Sequence, residues 1–242
     1  MTNSSSRPLA LITGGAVRLG AAISTRLANM GYRPVIHAHS HFENAQTLAK
    51  ALGGEAVSAN LMEPAAIDRV FAAVDALDGP LEVLVNNAAI FQAADPLDVD
   101  LDTWQRHLAL NLTAPFYAAQ QAARRMRTSG RGVIVNLLDI AALRPEPGYA
   151  HYSATKAGLE SLTRGLAVEW APVIRVNGVA PGAALLPPDF DAEARALRMA
   201  RTPMGVEPGA EAVADAVAFL VDGPSAVTGV VLPVDGGMSA TW

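Results

Sequence analysis

The chain has 242 residues, 51% of them hydrophobic and only 17% charged, a balance that supports a large buried core and excludes a disordered chain. A net charge of −5 gives no electrostatic reason to bind nucleic acid, and zero cysteine excludes disulfides, thiolate zinc sites and a cysteine nucleophile. The polar start, Met1 to Arg7, lacks a signal-peptide core and no apolar run approaches the roughly 20 residues of a membrane span. A soluble, cytoplasmic protein is therefore expected, with residues 1–6 as a disordered tail.

Short apolar runs and helix-spaced segments alternate from end to end. Leu9–Thr13 reads as a strand ending in Gly14-Gly15, and Leu19–Met30 as a helix stopped by Gly31. Pro34–Ala38 is the second strand, Glu43–Leu52 a helix closed by Gly53-Gly54, and Ala56–Ala59 a short third strand. Pro64 suits the first turn of a helix running to about Leu77. After the strand Leu81–Val85, a long helix is predicted over about Thr103–Arg127, kinked by Pro115. Gly132–Asn136 is a strand, His151–Trp170 a helix, Val173–Asn177 a strand, Glu211–Val221 a helix and Val230–Val234 the last strand. Continuously apolar strands are buried on both faces. The expected fold class is therefore α/β, one domain over residues 7–242 with a doubly wound parallel sheet of about seven strands. The irregular stretch of about 182–209, with a weak helix at Ala192–Ala200, is the candidate substrate loop.

Three motifs carry chemistry. Thr13-Gly14-Gly15-Ala16-Val17-Arg18-Leu19-Gly20 joins the first strand to the first helix. Glycines there let backbone approach a pyrophosphate and the helix end offers N–H groups, although any tight turn uses the same residues. Asn86-Asn87-Ala88-Ala89 follows the fourth strand, and Asn111 lies mid-helix. Asparagine is a poor helix former, so Asn111 either bridges a kink near Pro115 or holds a water beside a reaction centre. Tyr152-Ser153-Ala154-Thr155-Lys156 sets a tyrosine and a lysine on one helix face. A nearby ammonium would lower the phenol pKa and make it a proton donor for carbonyl or imine reduction.

Together these residues resemble the classical short-chain dehydrogenase/reductases, from Leu9 to Gly237, including Pro181-Gly182 and Val234-Asp235-Gly236-Gly237. The resemblance implies a Rossmann-type fold, a nicotinamide cofactor and catalytic Asn111, Tyr152 and Lys156. Lys156 would also hold the nicotinamide ribose, and Asn111 a water relay. Gly14, Arg18, Leu19, Gly20, Asn60, Leu61, Asn87, Ala88, Ala89, Pro181 and Gly182 would line the cofactor. A homotetramer is implied too, with the long helix and the helix after Tyr152 packed on two-fold mates. Ala154, Ala157, Gly158, Ser161 and Gly165 would permit that close approach.

The family's usual serine, thirteen residues before the tyrosine, is Asp139 here, and its second glycine is Arg18. Both changes resemble the pteridine reductase branch. So do His37-Ala38-His39, the run Val176 to Gly182, and Phe91, which stands where the branch stacks a phenylalanine on the pterin. Reducing a C=N bond leaves charge on nitrogen, and a carboxyl beside Tyr152 could relay the proton it needs. Arg18 could bridge cofactor phosphate and a polar ring edge. No acid precedes Glu43 at the end of the second strand, which favours NADP(H) over NAD, gripped by His39, Ser40 and His41. The three alternating histidines share a strand face, but no carboxylate completes a ligand set, so no metal is expected. The expected function is thus an NADPH-dependent reductase of a dihydropterin or dihydrofolate. Its substrate would touch Arg18, Phe91, Asp139, Tyr152 and Leu185. The alternatives are a carbonyl reductase of the 3-oxoacyl type and a non-catalytic dinucleotide-binding sensor.

Overall fold

Seven parallel strands form one sheet in the computed structural model, which describes residues 7–182 and 191–241. They are β1 (Leu9–Ile12), β2 (Arg33–Ala38), β3 (Glu55–Ser58), β4 (Leu81–Asn86), β5 (Gly132–Leu137), β6 (Ile174–Pro181) and β7 (Val231–Val234). The order across the sheet is β3-β2-β1-β4-β5-β6-β7. The tail 1–6 and Leu185 lie outside the described residues.

Side-chain alternation along each strand decides which helices cover which face. Leu9 and Leu11 point to one side, where Ile67 and Phe71 of α3 (Pro64–Asp75), Ala122 and Met126 of α5 (Ala114–Ser129) and Leu166 of α6 (Ala150–Trp170) pack. Ala10 and Ile12 point to the other, under Ile23 and Leu27 of α1 (Arg18–Asn29) and Val213, Val217 and Leu220 of α8 (Gly209–Asp222). Both faces are covered, which is why the strands read as unbroken apolar runs. α2 (Phe42–Leu52) closes the β2 end with Ala45 and Ala49 against Ile36.

Two elements differ from expectation. The long helix is not one α-helix kinked at Pro115. It comprises α4 (Leu101–Leu108), a π-helical turn at Ala109–Thr113, and α5. In the π turn the Ala114 N–H reaches back to the Ala109 carbonyl. Pro115 has no N–H to offer the Asn111 carbonyl four residues back, and the wider turn absorbs that vacancy. β6 is longer than predicted: hydrogen bonding continues through Gly178 and Ala180 to Pro181 because β7 pairs with that half. α7 (Ala192–Ala200) is where the weak helix was expected. Among the described residues no helix is long and apolar enough to cross a membrane.

The chain steps outward from β1 to β3 and returns at β4, so the strand order reverses between β1 and β4. A crevice outside the carboxyl ends of the strands is expected at such a reversal. The glycine turn leaves β1 there, Asn87 leaves β4, Asp139 follows β5 and Gly182 follows β6.

Candidate active site

The glycine turn is fixed from beneath by β4. Thr13 Oγ1 accepts the N–H groups of Asn87 (2.9 Å) and Ala88 (3.1 Å). The Asn87 amide donates to the carbonyls of Thr13 and Gly14, both at 2.9 Å. Gly14 has φ +61, and a Cβ on Gly20 would stand 2.0 Å from the Gly14 oxygen, so no side chain fits there. No side chain caps the N-terminus of α1. A glycine-walled turn leading into an uncapped helix end suits a pyrophosphate. Arg18, exposed at the first position of α1, has φ +51, a left-handed conformation that costs a non-glycine residue about 1–2 kcal/mol. Leu19 is half-buried against the core and Gly20 is buried.

The three histidines do not share a strand face. β2 ends at Ala38, and His39, Ser40 and His41 are exposed beyond it, with His41 at the N-cap of α2. His37 alone is buried within the strand, bonded to Gly14 and to Ala59. Asn60, half-buried, follows β3 and spends its side chain on the Met62 N–H and on Glu63, while Leu61 is buried.

Beyond β5 lies the chemical centre. Asp139 caps a short 3-10 turn, accepting the Ala141 N–H at 2.8 Å on Oδ1. Its Oδ2 accepts the Tyr152 hydroxyl at 2.9 Å. The Lys156 ammonium donates to the Leu137 carbonyl at 2.7 Å and stands 5.7 Å from the Tyr152 ring centre. The expected lowering of the tyrosine pKa does not occur. Burial and then the Asp139 charge hold the phenol well above its usual range. Burial raises Asp139, whereas it lowers Lys156 to about 8 against the pull of Asp139.

Asn111 sits in the π turn. Its carboxamide closes on the N–H and carbonyl of Ile90 (2.8 and 2.9 Å) and donates to Thr155 Oγ1 at 3.2 Å. Thr155 in turn donates to the Tyr152 carbonyl at 2.7 Å. Phe91, 57% exposed, stacks on Tyr149 with ring centres 4.5 Å apart and meets Tyr152 edge-on at 4.9 Å.

A family model described as enoyl-(acyl carrier protein) reductase matches residues 15–239. The chain is 38% identical to a cis-4-hydroxycyclohexanecarboxylate dehydrogenase of Sinomonas cyclohexanicum, over 96% of each protein. It is also 38% identical to 3beta-hydroxysteroid dehydrogenase 1 of Eggerthella lenta, over 95% of this chain and 92% of that one. Gluconate 5-dehydrogenase of Gluconobacter oxydans is 33% identical over 96% and 94%. The chain belongs to the short-chain dehydrogenase/reductase family.

As a short-chain dehydrogenase/reductase it belongs among oxidoreductases that use a nicotinamide dinucleotide. The structure brings Asp139, Tyr152, Lys156 and Phe91 together through the contacts above, and Asn111 reaches them only through Thr155, which bonds the Tyr152 carbonyl. It brings Gly14, Gly20, Asn87 and Ala88 together at the turn, with Ala89 exposed just beyond. Pro181 ends β6, and the Gly182 N–H donates to Val234 on β7 at 3.0 Å. Sequence reasoning missed Tyr149 and Thr155, and it singled out His37 only as part of a motif, without its bonds to Gly14 and Ala59. Thr155 lies inside the Tyr-to-Lys motif, and its hydroxyl was the available signal.

Proposed function

We propose that the protein reduces ketones to secondary alcohols with a nicotinamide cofactor. The observation that carries this reading is the Tyr152–Asp139 hydrogen bond. A phenol held protonated at neutral pH is ready to give its proton to a carbonyl oxygen and is a poor base for taking one from an alcohol. The full-length likeness to dehydrogenases of hydroxylated compounds supports ketones and alcohols as the substrate class, 3-oxoacyl thioesters among them.

A dinucleotide held by the glycine turn, Asn87 and Lys156 would supply the hydride for the carbonyl carbon. Tyr152 gives the proton to the oxygen, and the Lys156 ammonium stabilises the charge left on the phenol. Asp139, which accepts the Tyr152 hydroxyl, keeps the phenol protonated until that step. Asn111 ties the π turn to Thr155 and so to the Tyr152 backbone, keeping these groups in register.

A second reading, pteridine reduction, is favoured by the presence of Asp139 itself and by Phe91 exposed beside Tyr152. NADPH and NADH oxidation should be measured with an acetoacetyl thioester, a cyclic ketone, dihydrobiopterin, dihydrofolate and dihydromonapterin. We expect kcat/KM for a ketone at least tenfold above every pterin. The reverse order replaces the first reading by the second. Cofactor binding without any turnover would make the chain a dinucleotide sensor.

We further propose NADP(H) as the cofactor. The exposed His39-Ser40-His41 segment has no carboxylate to repel a 2′-phosphate or to grip a ribose diol. NADPH should bind at least tenfold more tightly than NADH, about 1.4 kcal/mol, in a fluorescence titration. His41→Asp should reverse that order. It should also stabilise α2, because His41 makes no capping bond and aspartate is a strong N-cap. A homotetramer built on α5 and α6 is expected by light scattering at micromolar concentration, and a monomer would overturn it.

A further inference from the structure

His37 is 2% exposed and is a titratable group that the catalytic centre does not use. Both of its ring nitrogens are nevertheless engaged. Nδ1 accepts the Gly14 N–H at 3.1 Å, and Nε2 donates to the Ala59 carbonyl at 3.0 Å. The partners force those roles, because a backbone N–H can only donate and a carbonyl can only accept, so the ring is the neutral Nε2–H tautomer. The His37 carbonyl also accepts the Gly15 N–H at 2.9 Å. One residue therefore holds both glycines of the turn after β1 and the chain leaving β3, directly before Asn60 and Leu61.

We propose that His37 is a positioning residue for the dinucleotide, locking the phosphate turn to the segment that follows β3 before the cofactor arrives. The proposal rests on the nicotinamide-dinucleotide chemistry of the family. Two consecutive glycines carry the largest backbone entropy of any pair, and Gly14 sits at φ +61, where many neighbouring conformations compete. Two hydrogen bonds, from the Gly14 and Gly15 N–H groups to one buried residue that is itself tied to Ala59, remove that freedom in the free protein, so binding need not. They also commit the Gly14 N–H to His37, which leaves the amides at the start of α1 to meet phosphate. Burial keeps the imidazole neutral, with its pKa lowered to about 4, so the acceptor at Nδ1 persists at any working pH.

The role differs from that of His39 and His41, which are exposed and would discriminate between cofactors. A residue that shapes the turn must affect NADH and NADPH alike, since the two share the pyrophosphate. The test uses His37→Phe, which fills the space and loses both ring bonds, and His37→Asn, which keeps an acceptor near Gly14 but cannot reach Ala59. Dissociation constants for both cofactors are measured by fluorescence titration well below the Tm of each variant. His37→Phe should weaken NADH and NADPH by the same factor, at least tenfold, and His37→Asn by clearly less.

Unchanged affinities with a lowered Tm would make His37 a packing residue and overturn the proposal. Loss of NADPH affinity alone would overturn it too, by making His37 a 2′-phosphate contact. If His37→Phe does not fold, the common loss in His37→Asn decides the matter. Wild-type protein that binds neither dinucleotide would instead sink the cofactor assignment on which the proposal stands.

Discussion

Asp139→Ser should leave ketone reduction within about threefold of wild type and raise alcohol oxidation at pH 8 by about tenfold. Oxidation needs Tyr152 as a base, and the Asp139 charge opposes loss of its proton. Serine removes that charge. Each unit by which the phenol pKa falls gives about ten times more phenolate at a fixed pH well below it. The rising limb of the oxidation profile should therefore move to lower pH by about one unit. Folding should survive, because serine caps the 3-10 turn about as well as aspartate, keeping a partner for the Ala141 N–H. The same variant separates the two substrate readings. Where hydride goes to a C=N bond, the carboxyl lies on the proton path, and its removal should cost about 10²–10⁴ in pterin turnover. Measuring oxidation and reduction of one ketone–alcohol pair, beside one pterin, reads both effects. Slower oxidation after the substitution would mean that Asp139 does not restrain the phenol.

The sheet was legible because burial on both faces leaves a plain mark: Leu81 to Val85 is apolar at every position but Glu82. The glycine turn and the Tyr152–Lys156 pair were legible because their spacing alone puts them at a helix start or on one helix face. The π turn was not. It arises from a missing N–H at Pro115 meeting a side chain, Asn111, that has partners on both Ile90 and Thr155, and no local pattern encodes that meeting. The histidines were misread because their roles depend on where β2 stops. One residue more of strand would have lined up His37 and His39. The direction of the Tyr152 pKa was misread for a related reason. The motif shows the lysine four residues away, whereas the 2.9 Å contact comes from Asp139 at the end of another strand.

Lys156→Met should stabilise the protein at pH 7 while reducing turnover by about 10²–10⁴. The ammonium is buried, and burial lowers its pKa from 10.5 to about 8. An unfolded chain keeps the lysine protonated up to about pH 10.5, so between pH 8 and 10.5 the unfolded state binds more protons than the folded one. Stability of the wild type must then rise with pH across that window, and the full penalty of burying the charge is present below pH 8. The shift corresponds to about 3 kcal/mol. Methionine fills similar space without a charge, but it leaves the Leu137 carbonyl without its donor, which costs about 1 kcal/mol, and Asp139 without a favourable neighbour. The net gain should be about 1–2 kcal/mol at pH 7, or a rise in Tm of roughly 2–8 °C for a chain of this size. Melting curves of both proteins from pH 7 to pH 10 test the sign directly. The variant's advantage should be largest at pH 7 and narrow steadily above pH 8. A variant less stable than wild type at pH 7 would mean that the Leu137 contact and the Asp139 charge outweigh the burial of the ammonium. Lys156 would then be a source of stability, and the instability assigned to this corner of the site would have to lie elsewhere.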